Sequence, residues 1–173
     1  MERFFGKLLK GQKGTSLIEL LLYFALLTII LSIATDLIIK SGEFSLEAKS
    51  QNVLQEDARF IGNRLAYDIH QATAVTTPAN LGEASSTLTI MVGVETHIYT
   101  LLVNNFQYQE VAGSNTQTAN LNSNLTKINS VSFQRLGNPG GKPTIKIIFE
   151  IKDVKGTKGG PIKKTFETVV GLR

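Results

Sequence analysis

Apolar residues concentrate near the start of the chain. The stretch from Leu20 to Thr35, LLLYFALLTIILSIAT, contains sixteen residues without a charge. Counted from Thr15 it contains twenty-one residues and one charge, that of Glu19. As a helix it would be about 31 Å long, which is sufficient to cross the core of a bilayer. The pattern predicts a membrane-spanning helix over residues 15–35.

A second helical pattern follows, in which apolar residues recur every three or four positions. Its members are Leu54, Ala58, Ile61, Leu65, Ile69 and Ala72. The opposite face is predicted to carry Gln55, Asp57, Arg59, Asn63 and Asp68. This is one stripe of an amphipathic helix, which we expect to pack the outer domain. The helix should bend or break near Gly42 and end near ATAVTTPAN, because β-branched residues and Pro78 are poor helix formers.

After Pro78 the pattern changes to short strands with alternating apolar positions. The predicted strands lie in STLTIMVGVETHIYTLLV (two strands around Gly93), FQYQEV, INSVSFQRL, TIKIIFEIKDV and IKKTFETVVGLR. The segment AGSNTQTANLNSN is predicted to be a polar loop. The fold class is therefore α+β: a long N-terminal helix, membrane-spanning in its first half and amphipathic in its second, packed on a mainly antiparallel β-sheet.

The charges ahead of the apolar run predict its orientation. The first fourteen residues carry four basic residues against Glu2, a net charge of +3. Positive charge on this flank holds the N-terminus in the cytoplasm, so the chain from Asp36 onward should face outward.

Three interpretations of the N-terminal segment compete. It could be a secretory signal peptide cut near Ser32-Ile33-Ala34, an uncleaved anchor, or a leader removed before the apolar run. Glu19 favours the third, because a carboxylate in hydrocarbon costs about 2.5–3.5 kcal/mol unless it is neutralised. If the chain is cut between Gly14 and Thr15, the new amino group lies one helical turn from Glu19, at the positive end of the helix dipole.

Lys13 and Gly14 followed by TSLIELLLYFALLTIILSIA resemble the prepilin cleavage and methylation motif of type IV pilins and type II secretion pseudopilins. The resemblance implies that a prepilin peptidase cuts after Gly14 and methylates the amino group of Thr15. It also implies that Glu19 supports filament assembly. The first mature residue of the family is usually phenylalanine, and this chain has threonine.

The resemblance also implies a domain division and a location. Residues 1–14 would be the leader, residues 15–35 the transmembrane and assembly helix, and residues 36–173 an exported pilin-like domain. The precursor would cross the bacterial inner membrane once, with its N-terminus in the cytoplasm. The mature subunit would then enter a pilus or pseudopilus on the outer side.

A looser resemblance connects the outer domain to J-type minor pseudopilins and W-type minor pilins. The similar segments are RLAYDIHQA, SVSFQRL, a strand opening after KP, and FETVVGLR. The resemblance implies a structural subunit that primes or caps a filament, with other minor and major pilins or pseudopilins as partners. It leaves open whether that filament serves secretion, adhesion, motility or DNA uptake.

Catalytic and metal-binding motifs are absent from the sequence. It has no cysteine, no phosphate-binding loop, no dinucleotide fingerprint and no histidine–glutamate zinc motif. The two histidines, His70 and His97, are expected to be solvated or hydrogen-bonded at the surface and not to bind a metal. We expect neither an enzyme nor a cofactor.

Basic charge concentrates at the C-terminal end. From Arg135 onward nine basic residues oppose three acidic ones, a net charge of +6. The candidate basic patch consists of Lys142, Lys146, Lys152, Lys155, Lys158, Lys163 and Lys164. It could meet acidic subunits or DNA phosphates, which gives the alternative function of a pilus-borne subunit for DNA uptake or surface adhesion. Alternatively, these lysines are solvated and protect a sheet edge.

Overall fold

The computed structural model describes residues 16–156 and 159–173. One helix, α1 (Leu17–Gln71), precedes all of the strands. The strands are β1 (Ala74–Thr77), β2 (Ala84–Ser85), β3 (Leu88–Val92), β4 (Glu95–Leu102), β5 (Asn105–Ala112), β6 (Asn115–Asn120), β7 (Thr126–Leu136), β8 (Thr144–Asp153) and β9 (Lys163–Gly171). The α+β prediction is confirmed. Contacts divide the chain into two compact units, one that ends at Phe44 and one that runs from Ser45 to Arg173.

The predicted apolar stripe of α1 forms the helical part of the core. All six of its members, from Leu54 to Ala72, are buried in one cluster with the inward side chains of the strands. The helix is assigned without interruption through Gly42, so the prediction of a break there is wrong. Asp68 was predicted on the polar face, but its side chain is buried. That face of the helix is therefore partly covered by the domain.

The strands form two antiparallel sheets, where a single sheet was predicted. Sheet A has the order β1-β3-β4-β5-β6, and sheet B has the order β2-β7-β8-β9. The rings of Phe106 from sheet A and Phe133 from sheet B stack with their centroids 6.2 Å apart. The two sheets therefore share one core, to which α1 also contributes.

Strand β8 shows why the alternating segments form sheet B. Its odd-numbered residues from Ile145 to Asp153 are buried, and its even-numbered residues are half-exposed. Its neighbours β7 and β9 pair with it along most of their length. A strand with one apolar face is stabilised when that face is buried and the other meets solvent.

The segment predicted as a polar loop contains β6, so that prediction is wrong. Residues Asn115–Asn120, NTQTAN, pair with β5 in regular antiparallel register. All six side chains are exposed, and the strand lies at the edge of sheet A. An edge strand with no buried face needs no apolar residues, because its backbone hydrogen bonds to β5 are sufficient to align it.

Two-residue turns connect β3, β4, β5 and β6. Gly93 and Gly113 begin two of these turns with positive φ values of 63° and 61°. The turn between β4 and β5 is Val103-Asn104, with φ values of 47° and 65°. Hairpin turns with two positive φ values favour asparagine or glycine, and a β-branched residue is strained there. Val103 therefore stores backbone strain in the β4–β5 hairpin.

We expect Val103→Asn to stabilise the protein by about 1 kcal/mol, because asparagine tolerates this conformation at lower cost. Little packing is lost, since Val103 is 83% exposed. Urea unfolding of the full chain in detergent measures the change. Val94→Asn is the matched control, because Val94 is 93% exposed in the neighbouring turn and is not among the residues with positive φ. Equal effects of the two substitutions would contradict the strain at Val103.

Candidate functional site

The first part of α1 presents an apolar surface. Every large apolar side chain from Leu17 to Leu46 is exposed. This stretch is long and apolar enough to cross a membrane, and its most apolar 18 residues are not buried within the protein. A core helix of a soluble protein can be equally long and apolar, but most of its residues are buried. The helix is therefore a candidate membrane span.

Glu19 lies in the first turn of α1. The backbone N–H of Glu19 donates a hydrogen bond to the hydroxyl of Ser16 at 3.3 Å. Its carboxylate accepts one from the hydroxyl of Tyr23, also at 3.3 Å. Ser16 and Glu19 have the spacing of a helix capping box, in which a serine caps the helix and a glutamate stands three residues later. Sequence reasoning overlooked this second role, although the serine–glutamate spacing is visible in TSLIE.

The remaining residues of the processing motif lie outside the described residues. These are Gly14 and Thr15, the predicted cleavage position and N-methylated residue. Lys158 of the predicted basic patch also lies outside them. The cleavage and methylation therefore stay predictions.

The described lysines of the predicted patch differ in their surroundings. Lys142 lies in the turn before β8, Lys155 follows β8, and Lys146 forms an ion pair with Glu167 at 2.8 Å. Lys164 pairs with Ile151, which places it on the core side of β9. Lys152 and Lys163 remain, and they are directly opposed on the outer face of sheet B.

A lysine absent from the predicted patch completes a row on that face. Lys127 on β7 is directly opposite Lys152, which is itself opposite Lys163. We call Lys127, Lys152 and Lys163 the lysine row. Neighbouring strands are about 4.8 Å apart, so the row places three positive charges across roughly 10 Å. No ion pair joins it to an acidic residue in residues 16–156 and 159–173. Like charges directly opposite one another destabilise a sheet, so the row has an energetic cost.

A buried polar network connects α1 to sheet A. The carboxylate of Asp68 is 1% exposed and accepts hydrogen bonds from the hydroxyl of Tyr99 and from Nδ1 of His97, the latter at 3.0 Å. The guanidinium of Arg64 lies 3.3 Å from the same carboxylate, measured from Nε, and above the ring of Tyr108. His97 is hydrogen-bonded as expected, but it is buried, so its predicted surface position is wrong.

Both tyrosines of this region are held in the protonated form. Burial, together with the hydrogen bond to Asp68, raises the pKa of Tyr99. Burial, together with the hydrogen bond to Glu110, raises the pKa of Tyr108. The two hydroxyls therefore act as fixed hydrogen-bond donors to carboxylates.

A second polar contact joins α1 to the segment that enters sheet B. The carboxylate of Asp57 accepts hydrogen bonds from the backbone N–H and hydroxyl of Ser123, at 3.0 and 2.8 Å, and from the hydroxyl of Thr126. At the far end of the sheet, Nδ1 of His70 donates to the carbonyl of Gly171 at 2.9 Å. No local pattern indicates either pairing, because the partners are 66 to 101 residues apart.

Searches for related proteins find no match among models of protein families, curated proteins or solved structures.

Proposed function

We propose that this chain is a minor pilin or pseudopilin, a structural subunit that primes or caps a type IV pilus or a type II secretion pseudopilus. The observation that carries the proposal is the composition of α1. One helix exposes every large apolar side chain from Leu17 to Leu46 and then packs a domain with the buried stripe that begins at Leu54. The resemblance of the residues around Gly14 to a prepilin motif supports the same function.

The exposed part of the helix needs an apolar environment. Contiguous apolar surface of this extent is unfavourable in water and is typical of contact with a membrane or with another protein. In a filament of such subunits, the membrane holds this surface before assembly and neighbouring helices hold it afterwards, through close packing of side chains. Ile39 and Phe44 lie beyond residues 15–35 and would contact neighbouring subunits.

Glu19 provides the assembly signal in this proposal. In hydrocarbon its carboxylate requires a positive partner, and the amino group of Thr15, freed by cleavage after Gly14, is the nearest candidate. The same charge could instead pair with the amino group of an adjacent subunit. An unassembled subunit would then carry an electrostatic cost that insertion beside a neighbour removes.

The proposal fixes a location and a set of partners. The precursor would span the bacterial inner membrane with its N-terminus in the cytoplasm, where a prepilin peptidase acts on it. The mature chain would assemble with other minor and major subunits, and residues 36–173 would lie on the outer side. We assign it no catalytic activity.

The mature N-terminus tests the processing step. We expect mass spectrometry of the chain, expressed with a prepilin peptidase, to find N-methylated Thr15 as the first residue. A terminus near Thr35 would instead indicate a secretory signal peptide. An intact Met1 would indicate a simple anchor.

Two substitutions at Glu19 separate its charge from its capping position. Glutamine retains the capping spacing but removes the charge, since capping boxes accept either residue. We expect both Glu19→Gln and Glu19→Ala to be cleaved normally and to enter filaments at least about tenfold less. The amino group of Thr15 would then be left as an unpaired charge in hydrocarbon, at a cost of more than about 1.4 kcal/mol. Quantitative immunoblotting of purified filaments measures incorporation.

The matched control is Glu56→Gln, which alters an exposed glutamate of the same helix within the globular unit. It should assemble like the unmodified chain. Normal incorporation of Glu19→Gln, combined with loss for Glu19→Ala, would assign Glu19 to helix capping alone and would contradict the assembly role.

A second candidate function, binding of a phosphate polymer such as duplex DNA, is favoured by the lysine row. Three like charges in register, with no ion-pair partner in residues 16–156 and 159–173, destabilise the sheet, and an anion would relieve their repulsion. The row spreads three positive charges over roughly 10 Å, and each DNA strand carries one negative charge per about 3.4 Å of helix axis.

A comparison of two triple variants of equal net charge tests this candidate. The first changes the lysine row (Lys127, Lys152 and Lys163) to glutamine, and the second changes Lys142, Lys155 and Lys164. If DNA binds the row, the first variant should reduce the slope of log affinity against log salt by about 3 and the second should change it less. Fluorescence anisotropy of labelled duplex DNA with the full chain in detergent measures both. Absence of binding at low salt would eliminate this function.

A further inference from the structure

Three side chains with metal-binding atoms converge at one end of the β4–β5 hairpin. His97 on β4 is directly opposite Glu110 on β5, and Glu95 lies two residues before His97 on the same face. One ligand atom from each of Glu95, His97 and Glu110 lies within 4.8 Å of the other two. Strand register thus brings an imidazole and two carboxylates to one point.

The orientation of His97 leaves one ring nitrogen available for a ligand. Its Nδ1 lies 3.0 Å from the buried carboxylate of Asp68, and a carboxylate only accepts hydrogen bonds, so Nδ1 is the donor in this contact. In the neutral imidazole, Nε2 then bears the lone pair. Nε2 is buried and has no hydrogen-bond partner among the described residues, and it faces Glu95 at 3.7 Å. That separation is too long for a hydrogen bond.

The local charge favours a cation. Asp68, Glu95 and Glu110 carry three negative charges, and Arg64 provides one positive charge at 3.3 Å from Asp68. The three carboxylates and the guanidinium together have a net charge of −2. A divalent cation between Nε2 and the two glutamates would neutralise it.

We propose that Glu95, His97 and Glu110 bind a divalent transition metal ion, with Zn²⁺ as the preferred species. Zinc takes histidine nitrogen and carboxylate oxygen at about 2.0–2.2 Å, and three protein ligands leave one position for solvent or a further group. The imidazole ligand excludes Mg²⁺ and Ca²⁺, which select all-oxygen sites. The side chain of Glu95 is 40% exposed, so the ion has a route from solvent and this ligand is free to move inward.

The residues behind the site have the arrangement that orients a metal-bound histidine. Such a histidine characteristically donates its other ring N–H to a carboxylate, as His97 does to Asp68. Asp68 is itself held by the hydroxyl of Tyr99 and by Arg64. The hydroxyl of Tyr108 donates to Glu110 at 2.8 Å, which positions the second carboxylate. A bound ion would join β4 to β5 and, through Asp68, to α1.

Metal titration of the full chain tests the proposal. The protein is purified in detergent through a tag without histidine, stripped with a chelator, and titrated with Zn²⁺ by calorimetry and with Co²⁺ by visible absorption. We expect one ion per chain and a rise in the unfolding temperature with Zn²⁺, since an ion that binds only the folded state stabilises it. Mg²⁺ should have neither effect.

Substitutions at the site supply the decisive comparison. Glu95→Gln and Glu110→Gln should weaken Zn²⁺ binding at least about tenfold. Asp68 positions His97, and Asp68→Asn should weaken Zn²⁺ binding by about 10–100-fold. His97→Gln should abolish the Co²⁺ absorption. If a variant at a buried position fails to fold, Glu95→Gln still tests the proposal, because the side chain of Glu95 is half-exposed.

His70→Gln is the matched control, because it removes the other histidine of the chain and leaves the site intact. It should bind Zn²⁺ with unchanged affinity. The proposal is overturned if folded protein shows no binding at millimolar Zn²⁺. It is also overturned if Glu95→Gln and Glu110→Gln bind as tightly as the unmodified chain, which would place the bound Zn²⁺ outside this cluster.

Discussion

Burial of the apolar stripe of α1 is the interaction on which the globular unit depends. Both sheets place their inward side chains on this stripe, and polar contacts from the same helix align each of them. Asp68 accepts a hydrogen bond from Tyr99 of sheet A. Asp57 accepts one from Ser123, which precedes the long strands of sheet B, and His70 donates one to Gly171 of its last strand. Apolar burial is non-directional, so these hydrogen bonds are what determine how the sheets are oriented on the helix.

The same helix has two kinds of surface along its length. Up to Leu46 every large apolar side chain of the helix is exposed, whereas from Leu54 a buried apolar stripe runs along one face and only Phe60 and Tyr67 among such side chains are exposed. A helix that is apolar on all sides is suited to an apolar medium, and a helix with one stripe is suited to a domain surface. The change occurs within about two turns and needs no break in the helix, which explains how one element can serve both environments.

Local patterns predicted the elements better than their arrangement. The spacing from Leu54 to Ala72 and the alternation from Ile145 to Ile151 each reflect one buried face, and both were identified correctly. Strand β6 was missed because no face of it is buried, so it carries no alternation. The separation into two sheets depends on pairings between distant strands, for which a single sequence contains no local signal.

The candidate site depends even more on contacts between residues that are distant in sequence. Glu19 and Gly14 could be predicted as processing and assembly residues because their motif is contiguous in sequence, and their roles stay predictions. The cluster of Glu95, His97 and Glu110 depends on the register of a hairpin, and its orientation depends on Asp68, 29 residues before His97. Asp68 was assigned to the solvent face from helical spacing alone, because spacing does not reveal that a strand covers that face.

Strand β6 has a consequence for how this protein can change over evolutionary time. Its place in sheet A depends on backbone hydrogen bonds to β5, and none of its side chains contributes to the core. Substitutions at such exposed positions usually alter stability by less than about 0.5 kcal/mol. Selection for folding therefore constrains the path of this strand but hardly its sequence, so the outer edge of the domain is free to diversify while the interior is retained.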